Sequence, residues 1–341
     1  MKILSVGHSQ RKFGKVANLF SKKLNYGLIR LGHHVYEFDD REIARSQSLF
    51  RSRVGGTKGA NRRFLEVCEN FRPRVIFLGH ADLISKKVLK QCKEMIPDVK
   101  IAHWSVDAFY IPRNSKRFET FMESSDALFA TTGGSVLAGF KKPGKRLAYI
   151  PNAVDSAIDC FQNDKEDEFD VDLLFCGSPS KEKSRKSVVE KLAEDSRLGN
   201  IRFEVRGLMG KPRVYGDEYD QLLKYTKMAL NLSRDNESPL CSSSRISQLL
   251  GNGILTFIPE STGLKEIIPP EAAIFYRDYE DLVDKILYYH THDTERKRTA
   301  EAGRIASHKR FSSERIARFM IELTIGLPLS ERYEWERHIF I

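Results

Sequence analysis

Short apolar runs alternate with amphipathic stretches along most of the chain. Val75–Gly79 is apolar at every position, and Lys2–Gly7 and Lys100–Trp104 are mostly apolar, which is typical of strands buried on both faces of a sheet. The segments that follow such runs carry apolar residues at helical spacing, as in Ser85–Met95. This alternation predicts an α/β fold built on doubly wound parallel sheets.

The alternation stops once, near the middle of the chain. Residues 156–170 include the acidic run Asn163–Glu168 and lack the pattern, which is typical of a linker between domains. We therefore predict two Rossmann-like domains that face a cleft. Their predicted extents are 1–155 for the N-terminal domain, 156–170 for the linker and 171–320 for the C-terminal domain, with a tail over 321–341 for which packing against the N-terminal domain is one option.

The segment between residues 225 and 264 carries the strongest chemical signal. A strand predicted over Ala229–Leu232 leads through a polar loop into a short helix and a second strand, an order that places the loop at the carboxyl edge of a parallel sheet. Hydroxyls, a guanidinium and a helix start meet in this loop, and together they suit a phosphate. The residues are Ser242, Ser243, Ser244 and Arg245. A plain serine cap and a surface cation are the competing interpretation.

Two further strand ends of the second domain are candidates for ligand contacts. Gly177 and Ser178 follow the strand predicted over Val171–Cys176, where they could close over a phosphate or form an ordinary turn. Arg206 and Leu208 end the next strand, where the backbone and the apolar side chain could contact a nucleobase or pack normally. All four residues point to the same edge of the predicted sheet.

In the N-terminal domain, His8, His80 and Asp107 each lie just beyond an apolar strand. Strand ends of a parallel sheet face one crevice, so these side chains are candidates for a base that deprotonates a hydroxyl group. Histidine has a suitable intrinsic pKa for this task, whereas aspartate needs a tuned environment. Each of the three could also be an ordinary polar loop residue.

Several motifs resemble those of GT-B glycosyltransferases, and in particular the subgroup related to spore-maturation CgeB-type transferases. They are Arg245–Gly253 with Thr262–Glu266, Ile150–Asp155 at the end of the first domain, Asp172–Ser178 at the start of the second, and Trp104–Asp107. In this subgroup a glutamate that holds the ribose usually stands where this chain has Gln248, and glutamine can hydrogen-bond a hydroxyl without supplying charge. Because Asp107 ends the Trp104–Asp107 motif, the resemblance makes it the first candidate for the catalytic base, with His8 second and His80 third.

The resemblance implies a metal-independent transfer of a sugar from a nucleotide-sugar donor, with UDP or GDP favoured, to a glycan, a lipid-linked acceptor or another hydroxyl. Gln248 and the loop serines would hold the donor, and no tightly bound cofactor or metal is expected. Two alternatives remain open: a catalytically silent protein that binds a nucleotide or a partner, and a sugar-nucleotide epimerase on the same fold.

Charge is concentrated in the first part of the chain. The 341 residues carry a net charge of +10, while residues 1–100 alone hold 21 Lys and Arg against 9 Asp and Glu. This excess, which includes a basic loop predicted over Arg45–Asn61, favours a phosphorylated acceptor or an anionic membrane surface. A nucleic-acid partner is not expected, because no recognition motif is present.

The cysteines and the hydropathy of the chain indicate the cellular compartment of the protein. Five cysteines without a C-x-x-C pair argue against a disulfide framework or a zinc site. No apolar run approaches the roughly 20 residues of a membrane span. We therefore expect a cytoplasmic protein that is at most peripheral at the inner face of a membrane.

Overall fold

The structure is a computed structural model that describes residues 1–7, 20–177, 183–233, 236–241 and 243–341. Within these residues the chain forms two compact α/β units. The first unit contains the described residues of 1–151 together with 313–341, and the second contains the described residues of 152–312. Each unit has its own sheet.

The first unit begins with a regular series of strands and helices. The series is β1 (Lys2–Gly7), α1 (Phe20–Arg30), β2 (His34–Phe38), α2 (Asp40–Ser46), α3 (Thr57–Phe71), β3 (Val75–Gly79), α4 (Lys86–Met95), β4 (Lys100–Ser105), α5 (Pro112–Met122), β5 (Ala127–Ala130), α6 (Gly134–Ala138) and β6 (Arg146–Tyr149). All five residues of β3 are buried, as its unbroken apolar sequence requires.

The second unit follows the same logic, after which the chain returns to the first. Its elements are β7 (Val171–Cys176), α7 (Lys183–Glu194), β8 (Phe203–Arg206), α8 (Asp217–Lys224), β9 (Thr226–Leu230), α9 (Arg245–Gly251), β10 (Leu255–Pro259), β11 (Ile274–Tyr276), α10 (Tyr279–Thr291) and α11 (Asp293–Arg310). The returning segment forms α12 (Ser313–Ile325) and β12 (Ile339–Phe340).

Both sheets have the same strand arrangement at their centre. The first has the order β12-β6-β5-β4-β3-β1-β2 and the second the order β11-β10-β9-β7-β8. All pairs are parallel except β12 with β6. The direction of strand progression therefore reverses between β1 and β3 and again between β7 and β9. In open parallel sheets, ligands bind beyond the carboxyl ends of strands at such switch points.

The observed division of the chain differs from the predicted one in two places. Residues 156–170 belong to the second unit, where Asn163 and Asp164 are buried. The Asn163 amide donates to the Leu223 and Thr226 carbonyls at 2.8 Å, and Arg304 pairs with Asp164 at 2.7 Å. The acidic run is therefore bound to the second unit by polar contacts that composition alone does not reveal.

The second difference is the end of that unit, which falls at residue 312 and not at 320. Helix α12 belongs to the first unit, where it contacts α1 and strands β3, β4 and β5. Ile316, Phe319 and Met320 are fully buried there. The apolar face of α12 thus completes one layer of the first sheet.

Candidate functional site

At the switch point of the second sheet, the side chain of Arg245 bridges two strand ends. Arg245 begins α9, and its Nη1 donates to the carbonyl of Cys176 at the end of β7. Its Nη2 donates to the carbonyl of Leu232, just beyond β9. The residue is only 8 % exposed, so the guanidinium lies inside the sheet edge and not on the helix surface.

A second arginine, Arg185, lies beside the ring of Phe175, which Arg245 also contacts. The guanidinium carbons of Arg245 and Arg185 are 5.1 and 5.8 Å from the centroid of Phe175, and both arginines are buried. Burial lowers the pKa of Arg245. No carboxylate of the described residues forms an ion pair with Arg245. A buried cation without an anion is costly, so the site is electrostatically suited to an anionic ligand.

Three polar side chains near these arginines have hydrogen-bonding capacity to spare. The Oγ of Ser243 is buried and has no hydrogen-bond partner. Ser244 occupies the cap position of α9 but makes no capping hydrogen bond through its side chain. Asn231, fully buried directly after β9, has no partner for either its Oδ1 or its Nδ2. Buried polar atoms are usually satisfied, so the atoms of Ser243 and Asn231 indicate a place where a ligand would bind, whereas Ser244 is exposed to solvent.

Gln248 lies one turn into α9 and is held by its neighbours. Its Oε1 accepts a hydrogen bond from the Tyr219 hydroxyl at 3.2 Å, and its carbonyl accepts one from Asn252 at 2.7 Å. Its Nε2 makes no hydrogen bond within the part of the chain that the structure describes, which leaves both N–H donors of this amide for a ligand hydroxyl.

The ends of β7 and β8 approach each other closely. The amide of Gly177 donates to the Arg206 carbonyl at 2.9 Å, so this carbonyl is engaged within the protein. Gly207 has a φ of +77°, and a Cβ there would overlap the Gly177 carbonyl oxygen. The Arg206 side chain pairs with Glu204 at 2.7 Å, and Leu208 is buried. Leu208 packs in the hydrophobic core of the second unit, so its side chain offers little surface to a base.

In the first unit, the structure brings two of the predicted residues together. His80 follows β3 and Asp107 follows β4, and the His80 Nδ1 lies 3.5 Å from the Asp107 Oδ2. Arg117 of α5 donates to the same Asp107 carboxylate and pairs with Asp82 at 3.3 Å. Arg41 also binds Asp82, at 2.6 Å. The carboxyl edge of this sheet thus carries a network of alternating charge.

The network determines what each group could do chemically. Burial, followed by the Arg117 charge, lowers the pKa of His80 to about 4. His80 is therefore a neutral imidazole near pH 7 and a weak proton acceptor. Arg117 donates to the Asp107 carboxylate, and the backbone of Asp107 is fixed by its amide, which donates to the Ser105 hydroxyl at 3.2 Å. A fixed carboxylate of this kind can orient a hydroxyl and accept its proton.

Two other features concern the described residues only. Among them, no group of three or more His, Cys, Asp or Glu side chains is placed to hold a metal ion. None of the helices formed by these residues combines the length and the apolar character needed to cross a membrane.

Comparison with known proteins adds a family match and a fold. Residues 185–322 match the family model described as glycosyl transferase-like. No curated protein sequence matches the chain. Among solved structures, it is similar to an alpha-glucosyltransferase in complex with UDP, at 11% identity and a TM-score of 0.69 over 96% of this chain and 100% of the other. Sucrose-phosphate synthase from Thermosynechococcus elongatus matches at 13% identity and a TM-score of 0.64, over 94% of this chain and 98% of the other. HepE from Anabaena, in complex with UDP and glucose, matches at 12% identity and 0.59, over 96% and 100%.

The chain has the GT-B fold. This confirms the predicted fold class of two parallel-sheet α/β units. The match of residues 185–322 supports the broader assignment to glycosyltransferases. Membership of the CgeB-like subgroup stays a prediction.

The GT-B units hold the predicted site residues in two separate groups. Gly177, Arg206, Leu208, Ser243, Ser244, Arg245 and Gln248 lie at the carboxyl edge of the second sheet, and His80 and Asp107 lie at that of the first. His8, Ser178 and Ser242 lie outside the described residues.

Three residues of these edges were not among the predicted site residues. Arg185 follows Gly177 by eight positions in a basic stretch, which is a weak signal for a phosphate contact. Asn231 is the one polar residue within the apolar run Met228–Leu232, which is a usable signal. Arg117 gives no sequence signal, because its contact with Asp107 depends on how α5 packs.

Proposed function

We propose that this chain is a glycosyltransferase that moves a sugar from a nucleotide-sugar donor to the hydroxyl group of a glycan or lipid-linked acceptor. The observation that carries the proposal is the buried Arg245 at the switch point between β7 and β9, with Arg185 beside it. The GT-B fold and the glycosyl transferase-like match of residues 185–322 support it. Solved relatives on this fold hold UDP.

We assign the donor diphosphate to the two arginines. As the bond to the sugar breaks, negative charge develops on the leaving diphosphate. Guanidinium groups fixed in a site of low dielectric stabilise that charge without reorganising. Ser243 and Asn231 supply further hydrogen bonds, and the proposed mechanism needs no metal. Gln248 holds the ribose through its Nε2, and uracil or guanine is the favoured base.

The donor assignment is tested by conservative replacement of Arg245. In Arg245→Lys the charge stays but the bridge to two carbonyls and the forked donor geometry are lost. We expect the affinity for UDP or GDP to fall by about 1.5–3 kcal/mol in calorimetry.

Arg296 provides the matched control. It is fully buried and likewise donates to two carbonyls, of Asn163 and Glu166, but unlike Arg245 it also pairs with a carboxylate, that of Asp293, at 2.7 Å. Arg296→Lys should lower the free energy of unfolding and leave the nucleotide affinity unchanged. If Arg245→Lys binds nucleotide as well as the parent protein, the diphosphate assignment is wrong.

We assign acceptor activation to Asp107 in the first unit. Asp107→Asn keeps the shape but removes the proton acceptor, so turnover should fall by roughly 10²–10⁴-fold while the affinity for nucleotide stays constant. Asp82→Asn is the control, because Asp82 also pairs with Arg117 on the same sheet edge. Equal losses in the two variants would show that the network acts structurally and that Asp107 is not the base.

One observation favours a second candidate function. Gln248 is neutral where the related subgroup carries a glutamate, which favours a silent protein that binds nucleotide without turnover. Incubation of the parent protein with UDP- and GDP-sugars, with and without acceptor glycans, separates the cases. A transferase forms a glycosidic product, an epimerase changes the donor without an acceptor, and a silent protein binds the nucleotide and leaves both substrates intact.

A further inference from the structure

The connection between α2 and α3 holds three large apolar side chains out in solvent. We refer to residues 47–56 as the α2–α3 turn. Leu49, Phe50 and Val54 are 99, 91 and 84% exposed, whereas the other exposed large apolar residues among those described reach 39–67%. Such exposure on three neighbouring residues is unfavourable in water and usually marks a binding surface.

The turn is nevertheless closed by local hydrogen bonds. The Arg51 amide donates to the Ser48 carbonyl at 2.9 Å, and the Gly56 amide donates to the Ser52 carbonyl at 3.1 Å. Gly56 is buried at the base, where a Cβ would overlap the Ala44 carbonyl oxygen. The apolar side chains are therefore presented by a built turn whose base is pinned to α2.

The surroundings of the apolar side chains are uniformly basic. Residues 43–65 contain six Lys or Arg and no Asp or Glu. Arg51, Arg53 and Lys58 form no ion pair within the described residues. Arg45 pairs with Glu42, and Arg62 and Arg63 share Glu66, at 3.6 and 3.1 Å. The turn thus combines an apolar tip, formed by Leu49, Phe50 and Val54, with positively charged residues around it.

We propose that the α2–α3 turn is an interfacial anchor that inserts Leu49, Phe50 and Val54 into an anionic lipid surface. Arg51, Arg53 and Lys58 would then lie at the level of the lipid headgroups. Stable attachment to a membrane takes two signals, and an apolar insertion with a basic patch supplies both.

Lipid fits this surface better than other partners. Leu49 and Val54 have no ring on which a nucleobase could stack, so the tip is poorly suited to nucleic acid. Three side chains are also far fewer than the 20–30 residues per side of a typical stable protein interface. The proposal does not depend on the proposed glycosyl transfer, because it concerns a different surface and a readout without turnover.

The test is sedimentation of the full-length protein with vesicles. The parent protein should bind vesicles that mix phosphatidylglycerol with phosphatidylcholine far better than phosphatidylcholine alone. The Leu49→Ser/Phe50→Ser double variant should lose at least about tenfold in partition constant, because full burial of each side chain is worth about tenfold or more. The Arg51→Glu/Arg53→Glu double variant should lose at least about tenfold in partition constant on the anionic vesicles, and not on phosphatidylcholine. Added salt should lower the binding of the parent protein to anionic vesicles in the same way.

Matched controls come from other exposed residues. Ile305→Ser/Leu327→Ser removes two apolar side chains, each 53% exposed, and Arg298→Glu/Lys309→Glu changes the net charge by the same amount on α11. Both controls should bind vesicles like the parent protein, and all variants should keep its thermal unfolding transition.

Four results would overturn the proposal. The parent protein could fail to bind anionic vesicles, or Leu49→Ser/Phe50→Ser could bind them unchanged. Sedimentation velocity could show a dimer that depends on the tip, in the absence of vesicle binding. Single-stranded or duplex oligonucleotides could bind through Arg51 and Arg53 while vesicles do not.

Discussion

At the scale of single residues, His103 shows how the interior of the first sheet responds to pH. It lies in β4, is 2% exposed and stacks on Phe121 with ring centroids 4.2 Å apart. Burial, followed by the charges of His80 and Arg117, lowers the pKa of His103 to about 3. The native protein therefore holds this imidazole neutral in a range where the unfolded chain takes up a proton.

The free energy of unfolding should consequently fall on acidification. Between pH 6.5 and about pH 3 the unfolded state binds the additional proton, so stability rises with pH across this window and is fully present above it. From pH 7 to pH 5 we expect His103 to account for about 2 kcal/mol. His103→Phe should remove this part of the slope in urea unfolding, at a constant cost for the lost hydrogen bond to the Leu78 backbone.

Other groups titrate in the same window and shape the total curve. His80, whose pKa is lowered to about 4, adds to the slope. Asp40 opposes it, because burial raises its pKa to about 6 and the native state then binds the proton first. His34→Phe, at an exposed position, is the control. An unchanged acid slope in His103→Phe would contradict the expectation.

Residue identity in the candidate site was partly predictable from the sequence. The polar loop before α9 was recognisable because hydroxyls and an arginine follow an apolar strand. The burial of Arg245 was not, because its two carbonyl partners come from Cys176 and Leu232, one of them 69 positions away. Sequence patterns favour a solvated arginine, and only tertiary contacts can reverse that preference.

At the scale of elements, the contact between α1 and α12 depends on a glycine. A Cβ at Gly27 would overlap the backbone carbonyl of Ser313, so the two helices meet at backbone distance. Gly27→Ala should lower the free energy of unfolding by about 1–3 kcal/mol, because the helices must separate or shift. Urea unfolding measures this effect.

Gly139→Ala is the matched control for that contact. A Cβ at Gly139 has its nearest neighbour at an ordinary 3.5 Å, and the backbone there is helical. Equal losses in the two variants would mean that glycine flexibility, and not helix contact, accounts for the effect.

Strand positions followed from the sequence more closely than the connections did. β3 and β7 have the predicted ends, because β3 is an unbroken apolar run and β7 is interrupted only by Asp172. β9 begins at Thr226, three positions before the prediction, since a polar start with Thr226 and Lys227 hides a strand from an apolar pattern. The basic segment 45–61 was predicted as one loop, yet α3 already begins at Thr57. The glycines and charges of this segment are typical of a loop, whereas packing against α2 stabilises the start of α3.

At the scale of the whole molecule, the first unit is completed by the end of the chain. α12 covers one face of its sheet and β12 extends the sheet beside β6. A protein that ends at residue 312 should therefore lose the cooperative unfolding transition of the first unit in calorimetry, because Ile316 and Phe319 no longer cover the strands.

The same truncation should spare the second unit, whose sheet is complete without residues 313–341. A protein that ends at residue 338 and lacks only β12 is the control and should keep both transitions. A first-unit transition that survives removal of α12 would contradict this account. The predicted boundary lies at residue 320 and not at 312, because only packing, and no feature of a helix's own sequence, shows which sheet the helix joins.

The two places where the chain passes between the units lie beside each other. Val154 forms a parallel bridge with Ser312, and its amide donates to the Phe311 carbonyl at 2.8 Å. The segment 152–312 therefore begins and ends at neighbouring points of the structure. Recombination at these two points would replace the whole segment by that of a homologous protein, without a new linker. If the second unit binds the donor, as proposed above, donor preference is inherited, or engineered, as one piece while the first unit stays as it is.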